Sequence, residues 1–337
     1  MRVLVTGADG LLGSYVTREL LKRGHDVRAF VQPGRATGTL DGLSLERVEG
    51  DILDGDAIGK AMRGCDAVIH AAASTALWPP RSPETWRVNH DAALLVAETA
   101  LALGIGKLVH IGTANSFGPG TKENPGTEDD PYAAGRYGID YQDSKRAAQE
   151  ALLRMHRERG LPLSIVNPSF MFGAYDSKPG SGAMILAVYR GRVGGCPRGG
   201  RSYAYAGDVA FAVAEALERG RNGRCYLASG ENLDYTEAFA AIAGAIGVPT
   251  PAARIPAPVV LAAGAVGSLS GRLGGTVPAL SWAMARLANA EFYYSNARAV
   301  AELGMPRTPI QEAIREAFDW FGEHGYLDER TPDGRAR

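Results

Sequence analysis

The stretch that decides the fold is Met1–Gly24, MRVLVTGADGLLGSYVTRELLKRG. It opens with an apolar, β-branched run, Arg2–Thr6, of the kind that is buried on both faces of a parallel sheet. Apolar residues then recur at helical spacing from Leu12 to Leu21, and Gly24 follows where glycine commonly ends a helix. The stretch predicts a strand that passes through a tight turn into a helix.

Three glycines, Gly7, Gly10 and Gly13, occupy that turn. Without side chains the backbone can bend sharply and approach a phosphate, and the free N–H groups and dipole of the following helix favour an anion. Glycines also mark ordinary turns, but this motif directly follows a strand, as a dinucleotide site requires. We predict that Gly7, Gly10, Leu11 and Gly13 contact a dinucleotide, with its pyrophosphate on the glycines.

Composition narrows the class of protein. The 337 residues are 45% hydrophobic and 22% charged, with a formal net charge of −1, so we expect a globular protein that does not bind nucleic acid. We expect no signal peptide, and Pro256–Leu269 is interrupted by glycines and too short for a membrane span. The widely spaced Cys65, Cys196 and Cys225 predict reduced thiols in a cytoplasmic protein and no metal site.

The second strand bears on the choice of cofactor. In NAD-binding versions of this arrangement an acidic residue closes the strand and binds the adenosine ribose. Here His25–Val31 is followed by Gln32, with no acid, while Arg28 and Arg35 lie nearby. A missing carboxylate and available guanidinium groups favour a 2′-phosphate, and hence NADP(H) over NAD(H). The alternative is that both arginines are solvated surface residues.

Residues suited to a ligand follow the later strands. We predict these strands at Leu45–Glu49, Ala67–His70, Lys107–Ile111 and Leu163–Phe172, the last including the exit from the strand. The candidates after them are Asp51 and Ile52, then Ala71, Ala72 and Ala73, then Thr113 and Asn115. Ligands of an open parallel sheet bind beyond the carboxyl ends of its strands. The alternatives are a turn at Asp51, helix packing at the alanines and ordinary loop composition at Thr113.

Tyr141 and Lys145 are the clearest catalytic candidates. A helix is predicted over Tyr141–His156, and residues four apart share a helical face. A free tyrosine has a pKa near 10 and exchanges protons poorly at neutral pH. An ammonium at about 4–5 Å, at an effective dielectric of about 20, stabilises the phenolate by about 3–4 kcal/mol and brings its pKa towards the range useful for acid–base catalysis. The alternative is a chance Tyr-x-x-x-Lys, which the preceding glycine motif and Thr113 disfavour.

Taken in order, these motifs resemble the extended short-chain dehydrogenase/reductases, also called the NAD-dependent epimerase/dehydratase family. The motifs are TGADGLLG (6–13), GDILD (50–54), HAAAS (70–74), Asn89, Thr113 and YQDSK (141–145), and the resemblance extends to about Tyr326. It implies an α/β fold with a Rossmann doubly wound parallel sheet and a smaller, mostly helical C-terminal substrate lobe. It also implies an NAD(P)-dependent enzyme that acts on a small molecule.

The resemblance implies a role for each motif. Asp51 contacts the adenine, Thr113 orients the substrate oxygen, Tyr141 exchanges its proton, and Lys145 holds the nicotinamide ribose and tunes the tyrosine. Asn89, in a helix predicted over Trp86–Leu103, helps to hold the active site. The other implied cofactor contacts are Ile52, Ala71, Ala72, Ala73, Pro168 and Ser169.

The implied organisation is a Rossmann domain of residues 1–172 and about 203–233, a substrate lobe of about 173–202 and 234–326, and a tail of 327–337. The resemblance further implies a homodimer, formed through the helices Asp91–Leu103 and Tyr141–His156.

Three functions compete. The first is a reductase or dehydrogenase of a small, fairly apolar ketone or alcohol, and the second is a nucleotide-sugar epimerase or dehydratase with the same catalytic residues. The third, a cofactor-binding regulatory protein without turnover, is disfavoured because Thr113, Tyr141 and Lys145 are all present.

The candidate substrate residues divide between the first two functions. Arg201 lies in a segment resembling the one whose arginine grips a sugar-nucleotide diphosphate, with a solvated loop as the alternative. Trp78, Phe170 and Phe172, with Asn115 as a polar contact, predict an apolar pocket instead. They favour the dihydroflavonol-reductase-like and 3β-hydroxysteroid-dehydrogenase-like branch of the family.

Overall fold

The computed structural model describes residues 1–251 and 253–327. Its strands are β1 (Arg2–Thr6), β2 (Asp26–Val31), β3 (Glu46–Glu49), β4 (Ala67–His70), β5 (Lys107–Ile111), β6 (Leu163–Pro168), β7 (Phe170–Phe172), β8 (Gly200–Tyr205), β9 (Arg224–Ala228), β10 (Glu231–Asp234) and β11 (Glu291–Phe292). Its helices are α1 (Leu11–Lys22), α2 (Gly55–Met62), α3 (Pro83–Trp86), α4 (Ala92–Ala102), α5 (Asp140–Arg159), α6 (Ala183–Tyr189), α7 (Ala206–Glu218), α8 (Tyr235–Ile246), α9 (Ala257–Gly274), α10 (Trp282–Ala288), α11 (Ala297–Leu303) and α12 (Ile310–Glu323). A π-helical turn, Arg87–Asp91, joins α3 to α4.

Within the described residues, seven strands form one parallel sheet in the order β3-β2-β1-β4-β5-β6-β9. Helices α1 and α7 pack on one face, and α2, α4 and α5 on the other. The strand order changes direction between β1 and β4, which is the point at which doubly wound sheets bind ligands. The predicted Rossmann sheet is confirmed.

Strand β1 shows how the opening stretch folds. Val3, Leu4 and Val5 are fully buried, as predicted for a strand covered on both faces. Successive side chains point to opposite faces of a sheet. Val3 and Val5 therefore join the core beneath α1, and Leu4 joins the core beneath α2.

A second, smaller sheet begins where β6 ends. Strand β8 pairs with β7, β10 and β11, so the lobe that the sequence predicts as mostly helical also contains a sheet. Only Ser169 separates β6 from β7, and the chain passes from one sheet to the other at that residue. Strand β7 lies inside the predicted Rossmann domain, β8 crosses the predicted boundary near residue 203, and β11 lies inside the predicted lobe. The division into two domains stays a prediction.

Helix α9 differs from the expectation for Pro256–Leu269. The glycines in this stretch do not interrupt it, and the helix continues through 18 residues. Among the described residues it is the one helix long and apolar enough to cross a membrane, a criterion of length and composition only, and 17% of it is buried. All three cysteines are free thiols, two of them buried.

Candidate active site

One large cavity, of about 960 Å³, lies at the point where the strand order of the large sheet changes direction. It extends from the β1–α1 turn past the ends of β4, β5 and β6 to β8 and β11. The predicted site residues that line it are Gly7, Gly10, Leu11, Gly13, Arg35, Asp51, Ile52, Ala71, Ala72, Ala73, Thr113, Asn115, Tyr141, Lys145, Pro168, Ser169, Phe170 and Arg201. Arg28, Trp78, Asn89 and Phe172 do not line it.

The β1–α1 turn is closely packed on one side and open on the other. Gly7 has a φ of +66°, and a Cβ atom there would lie 2.7 Å from the backbone nitrogen of Ala72. A Cβ on Gly13 would collide with the carbonyl oxygen of Gly7, whereas one on Gly10 would meet nothing closer than 3.4 Å. Helix α1 has no acidic residue in its first turn. Its free N–H groups can therefore receive an anion without a competing carboxylate.

Arg35 and Asp51 line the cavity beyond the ends of β2 and β3. The Nε atom of Arg35 donates to the side-chain oxygen of Gln32 at 2.8 Å. The Oδ1 atom of Asp51 accepts a hydrogen bond from the backbone nitrogen of Leu53 at 2.9 Å, so Asp51 does shape a turn. Because Asp51 also lines the cavity, its role in a turn is compatible with the predicted contact to the cofactor.

Arg28 does not reach the cavity. Its guanidinium donates to the carboxylate of Glu46 at 2.8 Å and to the carbonyl oxygens of Ala61 at 2.6 Å and Arg63 at 2.9 Å. The prediction that Arg28 contacts the cofactor is therefore wrong, because β2 directs this side chain towards the end of α2. Of the two predicted arginines, only Arg35 lines the cavity.

Thr113, Tyr141 and Lys145 meet at the end of β5. The Thr113 side chain lies close enough to the Tyr141 phenol to lower its pKa, and its hydroxyl accepts from the backbone nitrogen of Asn115 at 3.3 Å. The Nζ atom of Lys145 donates to the carbonyl oxygen of Ile111, the last residue of β5, at 2.5 Å. Helix α5 places Tyr141 and Lys145 one turn apart on the face that lines the cavity, as the spacing predicts.

Burial governs protonation in this cluster. It lowers the pKa of Lys145 to about 8, because the ammonium loses its hydration. Burial raises the pKa of the Tyr141 phenol, while the neighbouring Thr113 hydroxyl acts in the opposite direction. The sequence predicts a tyrosine pKa lowered by Lys145, but here the ammonium is held at Ile111. In this arrangement Tyr141 is protonated at neutral pH.

Two buried histidines lie near Lys145. His70 on β4 and His110 on β5 are paired in register, with ring centroids 5.3 Å apart, and Nδ1 of His70 is 2.8 Å from the Thr6 hydroxyl. Burial lowers the pKa of His70 to about 3 and that of His110 well below its usual range, so both rings are neutral. Across the described parts of the chain, no group of three or more His, Cys, Asp or Glu side chains is arranged to hold a metal.

Asn89 holds the walls of the site and does not line it. From the π-helical turn, its amide accepts from the backbone nitrogen of Ser74 at 2.8 Å and donates to the Ser74 carbonyl at 3.0 Å and the Ser144 hydroxyl at 3.2 Å. Ser74 lies on the cavity wall, and Ser144 precedes Lys145 in α5. Asn89 is thus a positioning residue, and it does not reach the cavity as a catalytic residue would.

An unpartnered hydroxyl supports the fit of a dinucleotide. Pro168 and Ser169 line the cavity at the end of β6, and the Ser169 Oγ atom is buried without a hydrogen-bond partner among the described residues. Buried polar groups are normally hydrogen-bonded, so this atom is available to a bound molecule. With the open side of the turn at Gly10, this hydroxyl fits a bound dinucleotide.

Arg201 stands at the opposite end of the cavity from the glycine turn. Its guanidinium lies 5.8 Å from the ring centroid of Phe170 and 5.4 Å from that of Phe292, and its Nε donates to the Tyr235 hydroxyl at 3.0 Å. Its neighbouring ionisable groups are tyrosines, and in the described part of the chain no carboxylate pairs with it. Arg201 therefore presents an unneutralised cation to the cavity, between two aromatic rings.

Phe172 and Trp78 correct the predicted apolar pocket. Phe172 is 1% exposed and stacks on Tyr203 with ring centroids 5.6 Å apart, so it belongs to the core under the second sheet. Trp78 lines a smaller pocket outside the main cavity, with residues that include Arg272 and Trp282. Of the three predicted apolar substrate residues, Phe170 is the one that lines the main cavity.

Two contributions to the site were not predicted. The Tyr294 phenol donates to the side-chain oxygen of Asn115 at 3.3 Å, across 179 residues of chain. Residues 176–178, 180 and 181 also line the cavity, and the buried Asp176 carboxylate fixes this loop by accepting from the backbone nitrogens of Gly180 and Gly182. Each of these segments reaches the site through the packing of the second sheet and α6. A local sequence motif therefore could not have predicted either contribution.

The family follows from a comparison with known proteins. Residues 3–228 match the model of the NAD dependent epimerase/dehydratase family. The chain belongs to this family. It is 30% identical to the "Putative dihydroflavonol 4-reductase" of Synechocystis sp., over 96% of this chain and 95% of that protein. It is 28% identical to the Sterol demethylase protein B of Methylococcus capsulatus, over 97% of this chain and all of that protein.

Solved structures agree with this assignment. The crystal structure of gox2253 superimposes with a TM-score of 0.84 at 31% identity, covering 96% of this chain and 99% of that one. As a member of the extended short-chain dehydrogenase/reductases, the protein is an NAD(P)-dependent oxidoreductase. The relatives of this chain include reductases. They also include the UDP-glucose 4-epimerase of Mycolicibacterium smegmatis, which is 29% identical over 74% of this chain and 84% of that protein. Membership therefore leaves both reactions open.

Proposed function

We propose that this family member is an NADP(H)-preferring ketone reductase or alcohol dehydrogenase that acts on a small, fairly apolar molecule. The observation that carries the proposal is the grouping of Thr113, Tyr141 and Lys145 on the wall of a cavity that also contains the glycine turn. The names of the dihydroflavonol-reductase and sterol-demethylase relatives support an apolar carbonyl or hydroxyl compound. Phe170 and Phe292 supply an apolar wall for it.

The roles of the side chains follow from their protonation. Thr113 and Tyr141 hold the substrate oxygen between their hydroxyls, and the protonated Tyr141 phenol gives its proton to that oxygen in the direction of reduction. Lys145, already desolvated, binds ribose hydroxyls of the cofactor and stabilises the phenolate that Tyr141 becomes. When bound, the nicotinamide supplies or accepts the hydride at the substrate carbon. The remaining predicted contacts hold the cofactor: Gly7, Gly10, Leu11, Gly13, Arg35, Asp51, Ile52, Ala71, Ala72, Ala73, Pro168 and Ser169.

The preference for NADP(H) rests on Arg35. It lines the cavity next to Gln32, in the region where an NAD-binding protein of this fold has an acid for the ribose. A guanidinium there attracts a 2′-phosphate. We expect NADP(H) to bind at least about tenfold more tightly than NAD(H), about 1.4 kcal/mol. Titration by nicotinamide fluorescence measures both affinities, and equal values would refute the preference.

A nucleotide-sugar epimerase or dehydratase is the second candidate, and Arg201 is the observation that favours it. An unneutralised guanidinium inside a cavity suits the diphosphate of a sugar nucleotide. An epimerase ends each cycle with its cofactor as it began and gains from retaining it, whereas a reductase exchanges it at every turnover.

The test uses the purified protein with a panel of ketones and of UDP-, GDP- and dTDP-sugars. Cofactor consumption at 340 nm in proportion to product supports the oxidoreductase. Retained cofactor and interconversion of a sugar nucleotide without a net change in absorbance would establish the epimerase instead.

The proposal includes a cytoplasmic homodimer formed through the predicted helices Asp91–Leu103 and Tyr141–His156, with its support in the family alone. In the structure the first segment covers α4 and one residue beyond each of its ends, and the second lies within α5. The two helices pack against each other on one face of the large sheet. Light scattering at micromolar concentration should give twice the mass of the chain. A monomeric mass would contradict the dimer without affecting the proposed reaction.

A further inference from the structure

Helix α9 exposes apolar side chains that a helix covering a hydrophobic core would bury. A surface helix normally buries its large apolar side chains and exposes polar ones. In α9 most of the large apolar side chains are exposed. With two exposed alanines they form one stripe, which we call the α9 stripe: Val259, Ala262, Ala263, Val266, Leu269 and Leu273. Leu273 is 82% exposed and Val266 69%. Val277 and Trp282, just beyond the helix, extend the same exposed apolar surface.

The packed face of α9 is mostly glycine, and Val260 is the large side chain buried there. Gly264, Gly267 and Gly271 contact the segment that leads into α10, and a Cβ atom on Gly264 would lie 2.5 Å from the Ala285 Cβ atom. A Cβ on Gly267 would collide with the Leu280 carbonyl oxygen. This close backbone contact holds α9 against α10 with little side-chain burial. The orientation of the helix is thus fixed, and the α9 stripe is held outward.

The charged residues of the chain segment that carries the α9 stripe are all positive. Residues 238–290 contain no Asp or Glu, although 37 of the 337 residues are acidic. The charged residues of this segment are Arg254, Arg272 and Arg286, and the first two are exposed. An apolar surface with a tryptophan at its edge, on a segment whose charged residues are all arginines, is complementary to an anionic lipid surface.

We propose that the α9 stripe, with Val277 and Trp282, rests in the interface of a membrane that contains anionic lipid. The helix lies in the plane of the membrane and does not span it. Its glycine face stays packed on α10, which holds the helix against the surface of the protein.

The position of the stripe agrees with an apolar substrate. The smaller pocket of Trp78 lies between α9 and α10, with Leu269, Arg272 and Trp282 on its walls. The neighbouring Leu77 lines the main cavity. A membrane seated on α9 therefore lies beside the loop that borders both pockets. The proposal stands independently of the reaction that the enzyme catalyses.

The test is co-sedimentation of the full chain with vesicles of phosphatidylcholine and of phosphatidylcholine with 30% phosphatidylglycerol. We expect binding to the anionic vesicles, at least tenfold weaker binding to phosphatidylcholine alone, and weakening by salt. The double variant Leu269→Glu, Leu273→Glu should bind at least tenfold more weakly than the wild type. Arg315→Glu on α12 is the matched control, because it changes the net charge by the same amount at an exposed site away from the stripe.

A second readout does not depend on added charge. Tryptophan emission should shift to shorter wavelength on anionic vesicles, and Trp282→Phe should remove most of that shift while retaining the thermal unfolding midpoint. Wild-type protein that stays in the supernatant with anionic vesicles overturns the proposal. So does equal loss of binding in Arg315→Glu, or a stripe variant that alters only the mass in light scattering, which would identify a surface between protein chains.

Discussion

Helices α1 and α9 both rely on glycine, and they use it differently. A Cβ on Gly13 of α1 would collide with the Gly7 carbonyl oxygen, and one on Gly267 of α9 would collide with the Leu280 carbonyl oxygen. Near α1 the contact closes a turn whose other side, at Gly10, faces a cavity. Near α9 it holds a helix whose other side is an exposed apolar stripe. A glycine pattern shows where two backbone segments approach each other. The function of such a contact depends on what the other side of the turn or helix faces.

The comparison predicts that chemistry depends on the main cavity next to α1 and not on the α9 stripe, and turnover gives the largest expected effect. Tyr141→Phe should lower turnover by about 10²–10⁴-fold, because the proton-exchanging hydroxyl is lost. Cofactor affinity and the unfolding midpoint should stay close to those of the wild type. Leu273→Ser, on the α9 stripe, should keep turnover of a water-soluble substrate within about twofold. Steady-state kinetics decide, and a Phe variant with more than a few per cent of activity would remove Tyr141 from the mechanism.

The two glycine contacts can be compared directly by Gly13→Ala and Gly267→Ala. Each methyl group meets a carbonyl oxygen, and such overpacking costs about 1–3 kcal/mol. Both variants should unfold at lower temperature. Dinucleotide affinity should fall only in Gly13→Ala, because that change moves the turn on which the pyrophosphate rests. Equal affinities of the two variants would show that the turn does not hold the cofactor.

Arg35 sharpens the comparison inside the cofactor region. Arg35→Ala should reduce the preference for NADP(H) over NAD(H) by about tenfold, with the affinity for NAD(H) nearly unchanged. Arg28→Ala should leave the preference unaltered and instead destabilise the fold, since Arg28 pairs with Glu46 and two carbonyl oxygens. Fluorescence titration of both variants gives the answer. A lost preference in Arg28→Ala would contradict the placement of these arginines.

The smallest effect concerns pH. The pKa of Lys145 in the folded protein, about 8, lies below its usual 10.5, so between these values the unfolded chain binds more protons. Stability should therefore rise as pH increases through this window, and the cost of burying the ammonium is fully present below pH 8. Lys145→Met should remove that rise, a difference of roughly 2–4 °C in unfolding midpoint between pH 7.5 and 10. Lys107, whose pKa burial also lowers to about 8, remains in both proteins, so the difference isolates Lys145.

The features that the sequence determined are mostly ones formed within short spans of the chain. The strand–turn–helix of residues 2–22, the i and i+4 spacing of Tyr141 and Lys145, and the strand that ends before Thr113 are set by local geometry. Parallel strands bring their carboxyl ends to one edge, so these local features converge without further information. The family and the main catalytic candidates could therefore be predicted.

Tertiary structure decided everything that depends on where a side chain finds its partners. In the sequence, Arg28 and Arg35 are equally good candidates to bind a phosphate. Only the packing of β2 against α2 shows that the Arg28 guanidinium is occupied by a hydrogen bond to the protein itself. Phe170 and Phe172 lie on one strand, and the stacking of Tyr203 on Phe172 leaves Phe170 to line the cavity. The contact between Tyr294 and Asn115 joins residues 179 positions apart. Periodicity and spacing describe the chain over one or two turns or strands, whereas such contacts are selected by the packing of whole layers.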